Sequence, residues 1–199
     1  MKDNQLSTYY PLFKDNIHLF AWSNLFTKEE CEKIKKYIYE QNTIQAGVIG
    51  NGGKGETYSP EKRKSNVSWV FPNNENSWVF EKIKNCILDL NNKFFKFDIQ
   101  GLSEGLQYCS YKKGDFFIRH PDRAYGIIIR KLSLTIQLSD EKDYKGGELV
   151  LYNGLGETIV KKEQGHAVVF PSFVEHEVKP VTKGKRESLV AWITGPQFK

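Results

Sequence analysis

Residues 132–140 read LSLTIQLSD, a stretch in which apolar and polar side chains alternate up to Ser139. The apolar positions are Leu132, Leu134, Ile136 and Leu138. A period of two residues is typical of a β-strand with one face on a hydrophobic core. We therefore predict a strand here, and its polar face, formed by Ser133, Thr135 and Gln137, is turned either to solvent or to a pocket.

Similar short apolar runs fill the chain from residue 98 onward and are separated by Gly-rich turns. These runs are LQYCSYKKGDFFIRH, GGELVLYNG, ETIVKKEQGHAVVFPS and HEVKPVTKGKRESLVAWITG. Turn signals recur at the spacing of all-β proteins, with no helical pattern between them. The pattern predicts an antiparallel sandwich or a double-stranded barrel over the C-terminal half of the chain.

The N-terminal half carries helical patterns instead. In LFTKEECEKIKKYIYEQN, Thr27 and Glu30 have the spacing of a capping box, which predicts a helix over residues 28–41. Helical spacing of apolar residues recurs in NSWVFEKIKNCILDLNNKFF and predicts a second helix. The glycine-rich segment 45–66 between them is typical of a mobile loop, and we interpret it as a lid over a substrate.

The composition limits the class of protein. A chain of 199 residues fits one domain with its own hydrophobic core. The net charge of +5 comes from scattered lysines, which is typical of a solvated surface. The three cysteines form no C-x-x-C pair, the first residues lack the apolar run of a signal peptide, and no segment could span a bilayer. We expect a soluble, cytoplasmic protein with reduced thiols and no membrane partner.

A candidate metal site begins with His120 and Asp122, which lie two residues apart in GDFFIRHPD. Alternate side chains of a strand share a face, and Pro121 cannot donate to a sheet ladder, so the pair belongs at a strand end or edge. Alone, such a pair is as typical of a polar surface as of a site. His176, in FPSFVEHEV, adds a second imidazole; the resulting set suits Fe(II), and zinc could bind the same groups.

Arg186 lies ten residues after His176, across the turn TKGK. The planar guanidinium can bind a carboxylate through two parallel hydrogen bonds, which a lysine does less well. An arginine in a basic run is usually surface charge, but this position after the distal histidine favours a role in binding an acidic co-substrate.

Together these motifs resemble the Fe(II)- and 2-oxoglutarate-dependent dioxygenases, specifically the prolyl 4-hydroxylase-like branch. The matching segments are YKKGDFFIRHPD, RKLSLTIQLSDEKDYKGGELVL and FPSFVEHEVKPVTKGKRESLVAW, and LFTKEECEKI is similar to the family's first helix. The resemblance implies a mainly β fold with N-terminal helices, a double-stranded β-helix of the jelly-roll or cupin-like type. It implies a single domain over residues 1–199, with helical support and the substrate loop in 1–97 and the β-helix core in 98–199.

The same resemblance implies roles for individual residues. The implied iron ligands and catalytic residues are His120, Asp122 and His176. The implied co-substrate contacts are Arg186, Tyr111, Ser133 and Gln137, although many prolyl hydroxylases carry a tyrosine where this chain has Gln137. The implied substrate contacts are Arg63, Ser65, Trp69 and Trp192, the first three because RKSNVSWV resembles the Arg-x-Ser segment of prolyl hydroxylases.

The implied activity is hydroxylation of a prolyl residue in a peptide or protein, with decarboxylation of 2-oxoglutarate to succinate. Fe(II), 2-oxoglutarate and O₂ would take part, and ascorbate would serve as reductant. Two alternatives remain: the same chemistry on a free amino acid, a lysyl residue or another small molecule, and a non-enzymatic β-sandwich that binds a metal or a carbohydrate. A nucleic-acid partner is disfavoured, because demethylases of the superfamily typically carry a second arginine at the position of Trp192. The sequence specifies no oligomeric state.

Overall fold

The structure is a computed structural model that describes residues 21–40, 44–45, 48–49, 56–57, 59–122, 129–152 and 156–197. Within these ranges the chain is mainly β, with two helices and one π-helical turn. The strands are β1 (Ala21–Asn24), β2 (Ile44–Gln45), β3 (Val48–Ile49), β4 (Glu56–Thr57), β5 (Arg63–Lys64), β6 (Asn66–Val70), β7 (Gly101–Leu102), β8 (Leu106–Lys112), β9 (Phe116–His120), β10 (Arg130–Gln137), β11 (Tyr144–Gly146), β12 (Leu149–Tyr152), β13 (Glu157–Ile159), β14 (His166–Pro171), β15 (Glu175–Val178) and β16 (Val181–Thr194).

Helix α1 (Lys28–Tyr39) begins at the capping box that the sequence predicts. The hydroxyl of Thr27 accepts from the backbone N–H of Glu30 at 3.2 Å, and the Glu30 carboxylate accepts from the N–H of Thr27 at 2.9 Å. These two bonds satisfy helix N–H groups that have no partner within the helix. The helix ends at Tyr39, and Gln41, the last residue of the predicted helix, lies outside the described residues.

Helix α2 (Ser77–Leu90) continues into the π-helical turn Asn91–Phe95. The turn closes at Lys96, whose φ of 54° is left-handed and ends the helical run. Apolar side chains of α2 at helical spacing are buried, as the sequence pattern predicts. No helix in the described ranges has the length and apolar character needed to cross a membrane.

Within the described residues the longer strands form two antiparallel sheets. The larger sheet has the order β1-β14-β10-β16-β8-β6-β2, and β7 and β11 also pair with β16. The smaller sheet has the order β13-β12-β15-β9-β5, and β3 pairs with β4 alone. Strand β16 therefore lies centrally in the larger sheet, and β15 and β9 are neighbours in the smaller one.

The two faces of the larger sheet have different partners, as the alternation in β10 predicts. Leu132, Leu134 and Ile136 are fully buried in a core that also contains apolar residues of α1 and α2. On the opposite face, Ser133 and Gln137 are buried as well, so this polar face is not turned to solvent. The sequence was compatible with a polar face turned either to solvent or to a pocket, and the structure shows that Ser133 and Gln137 are buried.

A second core cluster packs between the two sheets. Cys109, Tyr111 and Phe170 come from the larger sheet, and Leu151 and Val178 come from the smaller one. All five side chains are buried, so the two sheets face each other across this cluster. Polar groups placed between the two sheets are therefore shielded from solvent, and their electrostatic interactions are only weakly screened.

Candidate active site

Three side chains that could bind a metal ion meet at adjacent strand ends of the smaller sheet. His120 ends β9, Asp122 follows two residues later, and His176 on β15 pairs in register with His120. The Nε2 of His120 lies 3.7 Å from Oδ1 of Asp122, and the Nε2 of His176 lies 3.5 Å from Oδ2. The three potential ligand atoms lie within 4.8 Å of one another. The structure thus brings together the triad that the sequence predicts.

Backbone carbonyls orient both imidazoles. The Nδ1 of His120 lies 2.7 Å from the carbonyl oxygen of Ile118, and the Nδ1 of His176 lies 3.1 Å from that of Val174. A carbonyl only accepts, so each Nδ1 must carry the proton and donate it. In a neutral ring with this tautomer Nε2 carries the free lone pair, and in both histidines Nε2 faces the carboxylate of Asp122.

Neighbouring polar groups orient the carboxylate of Asp122. Its Oδ2 accepts from the hydroxyl of Ser133 at 2.7 Å, and the Ser133 hydroxyl also lies 3.1 Å from that of Ser172. Within the described residues the buried indole N–H of Trp192 has no hydrogen-bond partner of normal geometry, although its nearness helps to lower the pKa of Asp122. Ser133 therefore orients the carboxylate of Asp122 and does not itself line the cavity.

The electrostatics of the triad match the needs of a metal. Burial and the facing imidazole of His176 lower the pKa of His120 to about 4, so its ring is neutral near pH 7. Burial alone would raise the pKa of Asp122, but the two imidazoles and the Ser133 hydroxyl outweigh it, and the pKa is lowered. Neutral imidazoles and a carboxylate are the forms that bind metals. Two histidines and one carboxylate are the donor set of mononuclear Fe(II) sites, so the residues fit that ion.

The triad opens into a cavity between the sheets. Its walls combine polar groups near the triad with apolar groups from both sheets. The lining residues include Arg63, Gln107, Cys109, Tyr111, Phe117, Thr135, Leu149, Val178, Arg186, Ser188, Val190 and Trp192. Of the predicted co-substrate residues, Arg186 and Tyr111 lie here, and of the predicted substrate residues, Arg63 and Trp192 do.

Arg186 projects from the central strand β16 toward this cavity and is only 2% exposed. Its Nη1 donates to the hydroxyl of Ser188 at 3.2 Å, and its guanidinium lies 5.4 Å from the ring centre of Tyr111. In the described part of the chain no carboxylate lies within ion-pair distance of it. Burying a cation without a counter-ion costs free energy, and a bound anion would offset that cost. The environment of Arg186 is therefore suited to bind an anion.

Gln137 lines a recess next to the cavity, together with Arg186, Tyr144, Lys162 and His166. The side-chain amide of Gln137 donates to the Tyr144 hydroxyl at 2.9 Å. Burial raises the pKa of Tyr144 while Arg186 opposes the rise, so the phenol stays protonated beside the guanidinium. The recess and the cavity share Thr135, Leu149 and Arg186 in their walls.

Arg63 is buried between neutral partners. Its Nε donates to the Ser65 hydroxyl at 2.9 Å, and its Nη2 lies 3.1 Å from Oε1 of Gln107 and 3.2 Å from Sγ of Cys109. The guanidinium stacks on the ring of Phe117, 4.7 Å from its centre. Ser65 does not line the cavity itself, but it contacts Arg63 and Tyr111, which do.

The two predicted tryptophans lie side by side. Their ring centres are 6.1 Å apart, and Trp192 lines the cavity whereas Trp69 does not. Arg130 stacks on Trp192 at 3.8 Å, and Glu104 in turn binds Arg130. Within the predicted lid, residues 46–47, 50–55 and 58 lie outside the described residues.

Tyr144, which lines the recess beside Arg186, is a candidate site residue that the sequence analysis missed. It lies in DEKDYKGGELVL, just before the pair Gly146 and Gly147, and both glycines have positive φ. A Cβ on Gly147 would lie 3.1 Å from Cδ of Arg186 and 3.4 Å from the Tyr144 ring. The double glycine was the available signal, because it marks a place where a backbone must approach side chains closely.

Comparison with known proteins agrees with this geometry. The family model described as the 2OG-Fe(II) oxygenase superfamily matches residues 106–194. PKHD-type hydroxylases are similar in sequence: that of Shewanella oneidensis is 39% identical over 180 residues, or 85% of this chain and 75% of the relative. That of Prochlorococcus marinus is 38% identical over 78% of this chain and 66% of the relative. That of Alteromonas mediterranea is 47% identical over 62 residues, 31% of this chain and only 27% of the relative.

Solved structures show the same fold at lower identity. A prolyl-4-hydroxylase of Pseudomonas putida matches with a TM-score of 0.69 and 21% identity, over 90% of this chain and 94% of that one. A prolyl hydroxylase of Trichoplax adhaerens, in complex with a peptide fragment of the hypoxia inducible factor oxygen degradation domain, matches with a TM-score of 0.71. It is 18% identical and covers 88% of this chain and 83% of that one. At these identities the likeness concerns the fold.

Proposed function

Because this chain belongs to the 2OG-Fe(II) oxygenase superfamily, we propose that it hydroxylates a prolyl residue in a peptide or protein and converts 2-oxoglutarate to succinate. The observation that carries the proposal is that the triad of His120, Asp122 and His176 shares one cavity with Arg186. The peptide bound to the similar Trichoplax enzyme supports a peptide substrate. The two facing sheets would form the double-stranded β-helix of this family.

In this proposal the triad holds Fe(II), which when bound supplies the chemistry that couples O₂ and 2-oxoglutarate to oxygen insertion into a C–H bond. The carbonyls of Ile118 and Val174 keep both Nε2 lone pairs on the metal side. Ser133 holds the carboxylate of Asp122 in one orientation. Ascorbate is proposed as the reductant that keeps the metal ferrous.

Arg186 and Tyr144 would bind the distal carboxylate of 2-oxoglutarate. The guanidinium supplies the charge and two parallel donors. Because the Gln137 amide donates to the Tyr144 oxygen, the phenol proton is left free to donate to the co-substrate. In this way Gln137 positions a hydroxyl that comes from β11 rather than from its own strand. Tyr111 would contact the co-substrate nearer the metal.

We expect Tyr144→Phe to raise the dissociation constant for 2-oxoglutarate by at least about tenfold, because a hydrogen bond to a charged group contributes about 1.5–3 kcal/mol. Calorimetric titration of the Mn(II)-loaded protein measures this constant without turnover. Tyr152→Phe is the matched control, because the Tyr152 hydroxyl binds Glu177 outside the cavity. Equal affinities for wild type and Tyr144→Phe would remove Tyr144 from the co-substrate site.

The proposed reaction is tested by incubating the protein with Fe(II), ascorbate, 2-oxoglutarate and a panel of proline-containing peptides. Succinate and peptides heavier by one oxygen, with the oxygen located on proline by mass spectrometry, are the expected products. Succinate without an oxidised peptide would keep the dioxygenase chemistry and reject the prolyl substrate. Absence of both succinate and metal binding would reject the enzyme and favour a non-enzymatic β-sandwich.

A further inference from the structure

Arg63 is a second buried cation in the cavity that holds the triad. It is 7% exposed, and in the described part of the chain no carboxylate lies within ion-pair distance of its guanidinium. Elsewhere in the described ranges, the arginines Arg119 and Arg130 each bind a glutamate. Arg63 and Arg186 therefore differ from these two arginines in being both buried and without an acidic partner.

The partners of Arg63 are neutral and leave its charge uncompensated. They are the hydroxyls of Ser65 and Tyr111, the amide oxygen of Gln107 and the sulfur of Cys109. Burial raises the pKa of the Cys109 thiol and of the nearby Tyr111 phenol, so neither group is an anion near neutral pH. These contacts fix the orientation of the guanidinium, but they do not neutralise it.

The charges of the loaded cavity point to a missing anion. Fe(II) and the doubly charged 2-oxoglutarate would cancel each other, and the Asp122 carboxylate would cancel one arginine. One positive charge then remains among the described lining residues, between apolar walls such as Phe117 and Val178. A buried charge is tolerated when it is paired, so the group that completes the site should be negative.

The location of Arg63 assigns that anion to the primary substrate. Its guanidinium stacks on the ring of Phe117, and the same ring stacks on His120 at a centroid distance of 3.6 Å. Arg63 therefore flanks the metal triad on the His120 side. Arg186 lies on the central strand β16, beside the recess that contains Tyr144. Two anchors at different places suit two different carboxylates.

We infer that the primary substrate binds with a carboxylate on Arg63, close to the carbon that is oxidised. This inference rests on the proposed function and narrows its substrate class. It favours a residue with a free α-carboxylate, as in a free amino acid or at a peptide C-terminus, or a residue next to an acidic side chain. An uncharged internal segment would leave the guanidinium unpaired.

Matched pairs of small probes test the charge without requiring turnover. The probes are N-acetylproline and its amide, N-acetylalanine and its amide, and the amides of acetyl-Asp-Pro and acetyl-Asn-Pro. Each pair differs by one negative charge. Binding to protein loaded with Mn(II) and 2-oxoglutarate is followed by the paramagnetic broadening of probe NMR signals, which also reports closeness to the metal.

We expect the acid of at least one pair to bind at least about tenfold more tightly than its neutral partner, and Arg63→Gln to abolish the difference. Arg63→Lys, which keeps the charge, should retain part of it. Lys64→Gln is the matched control, because it removes a charge from the neighbouring exposed residue, which binds Asp115. The first and second pairs report an α-carboxylate, and the third reports an acidic side chain.

Equal binding of acid and neutral probes in every pair would overturn the inference. So would an Arg63→Gln variant that loses 2-oxoglutarate affinity to the same extent as probe affinity, since Arg63 would then serve the co-substrate. Charge preference in the alanine pair without binding of either proline pair would keep the inference and reject the prolyl substrate. Hydroxylated neutral peptides with no charge preference would keep the proposed function and reject the inference.

Discussion

Asp122→Ala is expected to lower succinate formation and Fe(II) affinity by more than about 100-fold, because loss of an outer hydrogen-bond partner of a metal ligand alone costs about 10–100-fold. Asp122 is the carboxylate between the two imidazoles, 3.7 Å from one Nε2 and 3.5 Å from the other. Without it, two neutral histidines would have to hold a dication without a charged ligand. His120→Ala should have a similar effect, since it removes one of three ligands.

The measurement is the iron content after desalting, together with succinate production at saturating 2-oxoglutarate. Circular dichroism and thermal unfolding establish that each variant is folded. Glu177→Gln is the matched control: it follows His176 on β15, but its carboxylate binds Lys179 and the Tyr152 hydroxyl rather than the cavity. Normal iron content in Asp122→Ala would contradict the assigned metal centre.

Arg186→Ala is expected to raise the dissociation constant for 2-oxoglutarate by about 30-fold or more, because truncating one partner of a buried, hydrogen-bonded charge pair costs about 2–5 kcal/mol. The effect should be confined to the co-substrate. The triad lies on other strands and does not depend on Arg186 for its hydrogen bonds. Metal affinity without 2-oxoglutarate should therefore stay near that of wild type.

Two titrations separate these quantities: Mn(II) into the protein alone, and 2-oxoglutarate into the Mn(II)-loaded protein. Lys183→Ala is the control, since Lys183 belongs to the same strand but is exposed. An unchanged affinity for 2-oxoglutarate would remove Arg186 from its role. Loss of metal affinity together with 2-oxoglutarate affinity would show that Arg186 supports the structure of the triad instead.

Local patterns in the sequence predicted much of the secondary structure. The capping box of Thr27 and Glu30 forms as predicted, because its partners are three residues apart and need no tertiary contact. The alternation around Leu134 yields a strand with one face in the helix-covered core, because a period of two residues separates the faces of any strand. Both features depend on bonds and angles within a few residues.

The site depended on distance in space as well as on spacing in the chain. His120 and Asp122 share a strand end, but His176 reaches them only because β15 pairs with β9. The sequence could nominate that histidine from the resemblance of its surrounding motif. It could not show that Ser133 binds Asp122, since this depends on how the two sheets face each other.

The sequence by itself determined the ligand types, the helix start and the period of the strands, because each is set by residue chemistry over a short stretch. Only the tertiary structure determined which buried charges lack a partner. Arg63 and Arg186 are 123 residues apart in the chain, yet they line one cavity whose described walls contain a single carboxylate, Asp122. The cost of burying charge depends on every neighbour in space. The hydrogen bond between Gln137 and Tyr144 likewise could not be predicted from the sequence. It depends on the tertiary structure around Gly147, where the backbone lies close to the Tyr144 ring.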